Sequence, residues 1–147
     1  MQGGCPDQWT SIAGNCYQFL PEKLSWDDAE AACKDLQGRM LEIESEEQNE
    51  AIHKEALNRG WATAWLGLGD AATEGEYVWG SGKTLSYTNW APMEPRNYKG
   101  PTNPEGEDCV LMNIKDGIGY HKGKPWTTPK KWNDDVCSVK SNVICEQ

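Results

Sequence analysis

Six cysteines, Cys5, Cys16, Cys33, Cys109, Cys137 and Cys145, are spread over 147 residues with no Cys-x-x-Cys pair among them. An even, widely spaced set of this kind reads as a disulfide framework and implies an oxidising compartment. Spacing alone does not choose among the possible pairings. Crosslinks matter here because the aliphatic core is thin. Nine Leu, six Ile, five Val and one Phe make about 14% of the chain, which with a formal charge of −9 is the composition of a disordered sequence. Eight Trp argue the other way, because each buried indole removes a large apolar area from water. The expectation is a small folded domain held by indoles and sulfur.

Charge and hydropathy remove several function classes. A surplus of 23 carboxylates over 14 Lys and Arg repels a phosphate backbone, so no nucleic-acid partner is expected. No stretch approaches the roughly 18 apolar residues of a membrane span. Met1 leads into Gln2, Gly3, Gly4 and Cys5 without a basic or apolar leader. The oxidising compartment implied by the cysteines predicts a secreted, extracellular protein, Met1 then marking its mature form.

Local patterns give the organisation. Trp9, Tyr17 and Phe19 around Ala13-Gly14-Asn15 predict a hairpin closed by Cys5 and Cys16. Ser25 with Asp28 caps a helix whose face carries Trp26, Ala29, Cys33 and Leu36 and which ends near Gly38. Ser45 with Gln48 opens a second helix, with a stripe of Ile52, Ala56 and Leu57 and a stop at Gly60. Residues 65–68, 77–79, 109–112 and 143–145 read as strands. The Pro-, Asn- and Gly-rich stretch from Tyr87 to Asp108 reads as a long functional loop, and Gly117 to Lys131 as a second polar excursion. Together these predict one α+β domain over residues 1–147.

In this order the residues resemble the C-type lectin-like domain, in its long form with an N-terminal hairpin. The resemblance rests on Cys5-Pro6 with Trp9, Cys16-Tyr17, Trp26, Ala29 and Cys33, then Trp65-Leu66-Gly67-Leu68, a variant of the family's Trp-Ile-Gly-Leu. It continues through Asn89-Trp90, Glu94-Pro95, Glu107-Asp108-Cys109, Trp132-Asn133-Asp134, Cys137 and Cys145. The resemblance implies pairings of Cys5 with Cys16, Cys33 with Cys145 and Cys109 with Cys137. It also implies two short helices, small antiparallel sheets and a long loop region.

Calcium takes oxygen ligands from carboxylates, amide carbonyls, backbone carbonyls and water. Glu94, Glu107, Asn133 and Asp134 stand in or beside loops, and a bonded Cys109–Cys137 pair would draw Glu107 toward Asp134. Carboxylates converging in this way need a cation. The resemblance makes these four the ligands of a sugar-binding Ca2+, with Arg96 at the fifth position. Sugar hydroxyls replace metal-bound water there, giving their protons to the acids and accepting from the carboxamide. Asp70, Glu74, Asn97, Glu107 and Asp108 match an auxiliary calcium site. The ordinary fates of these residues are solvated loop carboxylates for Glu94 and Glu107 and an Asx turn for Asn133 and Asp134. Trp132 reads as core.

Arg96 departs from the family pattern. Mannose-type sites read Glu-Pro-Asn and galactose-type sites Gln-Pro-Asp, whereas this chain has Glu94-Pro95-Arg96. A permanent cation with donors only cannot ligate calcium. Water, or Asn97, Asn103 or Glu105, then completes the set, or the site is metal-free with Arg96 neutralising a carboxylate. Glu94 favours a mannose-type sugar. The 13-residue step from Glu94 to Glu107, with Tyr98 matching a residue that stacks on the sugar, keeps galactose or GalNAc open. Lys122, Lys124, Lys99 and Arg96 offer contacts to an acidic sugar, and the 115–131 segment, longer than the family's, offers Tyr120, His121 and Trp126.

The expected partners are glycans on cell or microbial surfaces, as in innate immunity, engaged by a non-covalent homo-oligomer that supplies avidity. No enzyme is expected, since neither His53 nor His121 has a free Cys or a nucleophile elbow to work with. The alternative is a lectin-like domain whose ligand is a protein, ice or a mineral surface, its calcium site impaired by Arg96.

Overall fold

The computed structural model describes residues 4–69, 77–90, 109–115, 118–121, 124–127 and 130–147. The chain opens with a hairpin of β1 (Thr10–Ile12) and β2 (Asn15–Leu24), with Ile12 paired to Asn15. Only Ala13 and Gly14 lie between, both at positive φ (51° and 86°), as a two-residue hairpin loop requires. Asn15, assigned to the turn by sequence, instead begins β2.

Both helices start where the caps predict. In α1 (Trp26–Asp35) the Ser25 hydroxyl accepts from Asp28 N at 3.3 Å, and in α2 (Glu46–Asn58) the Ser45 hydroxyl accepts from Gln48 N at 3.2 Å. The Gln48 side chain reaches back to Glu44 N, one residue beyond the usual capping-box partner. Helix α1 stops earlier than Gly38 because Gln37 is left-handed (φ 64°), while Gly60 (φ 79°) follows α2 as predicted. The α2 stripe is corrected. Asn49, Ile52, His53 and Ala56 are buried, and Leu57 is 44% exposed. Two polar side chains hold core positions because each finds a partner far along the chain.

The strands β3 (Arg39–Met40), β4 (Thr63–Gly69), β5 (Val78–Trp79), β6 (Cys109–Asn113), β9 (Trp132–Asp135) and β10 (Ser141–Glu146) join β1 and β2 in one sheet. Its order is β1-β2-β10-β4-β6-β9, with β3 on β10 and β5 on β4. Alternation sorts the core. Ala64, Leu66, Leu68, Val110, Met112, Trp132 and Ile144 lie on the face that packs with Ile52 and Ala56 of α2. Trp65, Leu111, Val143 and Cys145 lie on the face that packs with Ala29 and Cys33 of α1. Gly67 is fixed by close approach, since a Cβ there would stand 3.0 Å from Met40 Cβ and 3.1 Å from Met40 O. A separate two-stranded ribbon, β7 (Ile118–His121) with β8 (Lys124–Thr127), occupies part of the stretch expected to be a second polar excursion. The three disulfides are Cys5–Cys16, Cys33–Cys145 and Cys109–Cys137, the pairing implied by the resemblance.

A polar seam joins β3 to β10. Glu146 accepts from Glu42 N at 2.9 Å and from Arg39 Nε at 3.0 Å, and the Glu42 carboxylate accepts from Ser81 N and Oγ, each at 2.8 Å. Burial pushes the Glu146 carboxyl above the ordinary carboxylate value, only partly offset by those two donors. The folded state therefore binds a proton at this carboxyl more tightly than the unfolded chain does. The stability this confers is fully present below the ordinary carboxylate pKa and is lost as pH rises through the raised one. Denaturant titrations in EDTA should accordingly show a weaker pH dependence for Glu146→Gln than for the wild type over that window. Identical slopes would refute the shift.

Candidate metal and ligand site

Asn133 and Asp134 are consecutive residues of β9, the last strand of the sheet, and pair with Leu111 and Val110 of β6. They form no Asx turn; ladder pairing holds them extended. The pleat sends them to opposite faces, with Asn133 half-buried and Asp134 2% exposed.

Each carries a partner that sequence reasoning missed. Tyr77 OH donates to Asp134 Oδ2 at 3.2 Å and packs edge-on against Trp90 at 5.3 Å. Asn113 Nδ2 donates to Asn133 Oδ1 at 3.0 Å, and that oxygen keeps a second lone pair for a metal or a hydroxyl. Such contacts orient ligating groups before anything binds.

The entry to β9 is held from both sides. Trp132 is fully buried and donates its indole N–H to Asn49 Oδ1 at 2.9 Å, while Asn49 Nδ2 donates to Lys130 O at 3.2 Å. Asn89 Nδ2 donates to the same carbonyl at 2.9 Å, Asn89 O accepts from Trp132 N, and Lys131 Nζ reaches Asn89 Oδ1. Lys130 is left-handed (φ 70°), a conformation these contacts over-determine. Trp79, Tyr87 and Trp90 meet the Trp132 ring edge-on at 5.8, 5.8 and 5.9 Å. The available sequence signal was Asn49 itself, a polar residue in register with a buried helical stripe.

Of the sequence-predicted residues, Asn133 and Asp134 are described, consecutive in β9 with their side chains on opposite faces. Glu94, Arg96, Asn97, Tyr98, Glu107, Asp108, Asp70 and Glu74 lie outside the described residues, and Glu107 and Asp108 immediately precede Cys109, whose Cα partner in β9 is Asp135. Among the described residues no group of three or more His, Cys, Asp or Glu could hold a metal by itself. The carboxylate of Asp134 and the amide oxygen of Asn133 are hard oxygen donors, which fit calcium in kind and supply part of its shell. His53 is a core residue, its Nε2 bonded to Ile114 O at 2.7 Å. A recess of about 190 Å³ lies apart from β9, between Trp26 and Lys34 of α1 and the seam residues Arg39, Glu42 and Ser81.

A helix-flanked sheet, three disulfides and a terminal strand presenting Asn-Asp after a buried Trp define a C-type lectin fold. The family model described as the Lectin C-type domain matches residues 22–147, and the chain belongs to that family. It is 35% identical over 144 residues to the mouse low affinity immunoglobulin epsilon Fc receptor, covering 97% of this chain and 37% of that protein. The chain thus spans little more than a third of that relative. The cow C-type carbohydrate-recognition domain of CD23, solved in the presence of GlcNAc2Man3 oligosaccharide, superposes with a TM-score of 0.79 at 31% identity, covering 97% of this chain and 95% of that one. A Ca2+-dependent type II antifreeze protein in its Ca2+-free form matches with a TM-score of 0.73 at 27% identity, covering 97% and 99%. Among the described residues no helix is long and apolar enough to cross a membrane.

Proposed function

We propose that residues 1–147 form a single calcium-dependent carbohydrate-recognition domain. The observation that carries this is the Asn133–Asp134 pair, adjacent oxygen donors on the last strand of the sheet, each already oriented by a hydrogen bond. Glu94, Glu107, Asn133 and Asp134 would hold the calcium, with Asp70, Glu74, Asn97 and Asp108 available to an auxiliary ion. When bound, calcium supplies a coordination point for two neighbouring sugar hydroxyls. The Asp134 carboxylate then accepts a hydroxyl proton in a hydrogen bond while the Asn133 amide N–H donates to a hydroxyl lone pair. Glu94 and Tyr98 would complete the ligand contact, and Arg96, with donors only, would serve solvent or sugar rather than the metal. Mannose-type sugars fit the Glu94 ligand; galactose or GalNAc fits the long loop.

The setting is extracellular, since six bonded cysteines fit an oxidising compartment, and within residues 1–147 none is left for an interchain disulfide. The partners are then glycans or glycoconjugates on cell or microbial surfaces, and avidity comes from non-covalent association. The second reading, a non-sugar ligand such as a protein, ice or a mineral surface, is favoured by Arg96 and by the antifreeze neighbour.

A glycan array read in calcium and in EDTA decides between the two. Signal should vanish in EDTA, and calorimetry should show Asp134→Ala losing calcium affinity by at least about tenfold, the loss typical of altering a metal's supporting residues and a lower bound for a ligand. Equal array signal with and without chelator would remove the metal mechanism.

A further inference from the structure

The recess beside α1 is a cavity that the Asn133–Asp134 pair does not line. At about 190 Å³ it is smaller than the roughly 300 to 1,000 Å³ of a small-molecule site, and its scale is that of one side chain. Trp26, Glu30 and Lys34 stand on one face of α1, at i, i+4 and i+8, and form one wall. Gly38, Gly67 and Gly80 supply surface without side chains to fill the space. Two of these are glycine because other chain comes close: a Cβ would meet Glu146 O at 2.6 Å from position 38 and Met40 Cβ at 3.0 Å from position 67. Gly80 is under no such constraint. Its φ lies outside the left-handed region, and a Cβ there would stand 3.8 Å from Gly67 O and 4.0 Å from Glu42 Oε2, ordinary contacts. The fold would accept a Cβ at 80, and its absence leaves the recess open.

The charge around the recess is one-sided. Glu42 is buried in its wall, with its carboxylate held by Ser81 N and Oγ, each at 2.8 Å. Its ion-pair partner, Arg39, stands 3.9 Å away and is bound more closely to Glu146, at 2.9 Å. One guanidinium thus serves two carboxylates. At the rim Glu30 and Lys34 cancel, and Glu44 is paired with Lys83 at 3.1 Å, so with both carboxylates ionised an excess of one negative charge remains. Trp26 donates its indole N–H to Leu66 O at 2.9 Å, which fixes the half-buried ring where it borders the recess. An indole beside uncompensated negative charge attracts an ammonium or a guanidinium.

We propose that this recess receives a lysine or arginine side chain carried by a protein partner, its aliphatic stem along Trp26 and its cationic head toward Glu30 and Glu42. A side chain borne on a protein is favoured over a free amine for two reasons. The recess holds little more than the side chain itself, and the exposed Lys34, Gly80 and Ser81 at its mouth leave room for the flanking backbone. The contact requires neither calcium nor the Asn133–Asp134 pair.

Amide and indole NMR of the whole chain in EDTA, titrated with acetyl-Gly-Gly-Lys-Gly-Gly-amide and its arginine counterpart, tests the contact apart from the metal site. Both peptides should shift the Trp26 indole N–H and the amides of Gly67, Gly80 and Ser81 saturably, while the norleucine and glutamate counterparts should not. Gly80→Ala should weaken binding at least about tenfold, the usual effect of one methylene-sized group in a fitted pocket. Glu30→Gln, at the rim, should weaken it as well, and decides the matter should Gly80→Ala lower stability. Lys34→Gln should tighten it, whereas an anionic ligand would be held less tightly by that variant. Glu47→Gln, on α2, should change nothing. Equal binding of the norleucine peptide, shifts spread over the acidic surface, or unchanged affinity in both Gly80→Ala and Glu30→Gln would overturn the proposal. Butylamine bound as tightly as the lysine peptide would overturn its assignment to a protein partner.

Discussion

Trp132→Ala should cost the domain most of its stability. The side chain is fully buried, and truncating a buried Trp removes about 3 to 5 kcal/mol through lost transfer energy and the cavity left behind. Here the cavity would open among Trp79, Tyr87 and Trp90, rings belonging to separate stretches of chain that cannot collapse together. The Asn49 carbonyl oxygen would also lose its indole donor, a further penalty of about 1 to 3 kcal/mol for a buried acceptor. A domain stable by roughly 5 to 15 kcal/mol has little margin against that sum. Trp132→Phe separates the contributions, keeping a ring while removing the N–H, and should lose only about 1 to 3 kcal/mol. Equilibrium unfolding in denaturant, with EDTA present, gives both values. A loss below about 1 kcal/mol for the Ala variant would mean that Trp132 is not the centre of the aromatic cluster. Asn133 and Asp134 follow Trp132 directly in β9, so the same substitution should weaken any ligand those residues hold.

The second large effect concerns the crosslinks. Cys33–Cys145 spans 112 residues, Cys109–Cys137 spans 28 and Cys5–Cys16 spans 11. In the chain-entropy model the stabilisation grows with the logarithm of the loop, giving about 5, 3.6 and 2.8 kcal/mol in that order. The paired change Cys33→Ala/Cys145→Ala should therefore be the most damaging, lowering Tm by roughly 10 to 20 °C for a domain of this size. Removing Cys5 and Cys16 should be the mildest. Calorimetry on the three double variants checks the ranking. If the Cys5–Cys16 variant melted lowest, local packing rather than loop entropy would govern these bonds. The ranking matters because Cys33 and Cys145 tie α1 to β10, which pairs with β2, β3 and β4 at the middle of the sheet.

The sequence carried the helix starts and most strands, for reasons confined to a few residues. Ser25 and Ser45 each bond an amide three positions on, and Trp65-Leu66-Gly67-Leu68 is an apolar run that only a buried strand explains. Where it misled, a distant partner had overridden the local pattern. Leu57 looks like the continuation of a stripe, but Asn49 and His53 fill the core positions because Trp132 and Ile114 bond them from 83 and 61 residues away. The paired strands at 118–121 and 124–127 lie in a stretch whose sequence reads only as a polar excursion, because Gly and Pro there mask any alternation. In the candidate site, Asn133 and Asp134 were legible through motif order, while Tyr77 was not, since its contact with Asp134 crosses 57 residues.

By itself the sequence determined the chemistry available to this protein: six thiols for crosslinks, indoles for a core poor in aliphatics, oxygen donors for a hard cation and a lysine-rich stretch in an acidic chain. Tertiary structure decided how these groups meet. Ladder pairing with β6 turned Asn133 and Asp134 from a plausible turn into two residues of an edge strand, facing opposite ways and steadied by Asn113 and Tyr77. The physical reason is that a hydrogen bond or a crosslink is specified by position in space. A local pattern records the residue that will make it, and only the folded sheet supplies the partner.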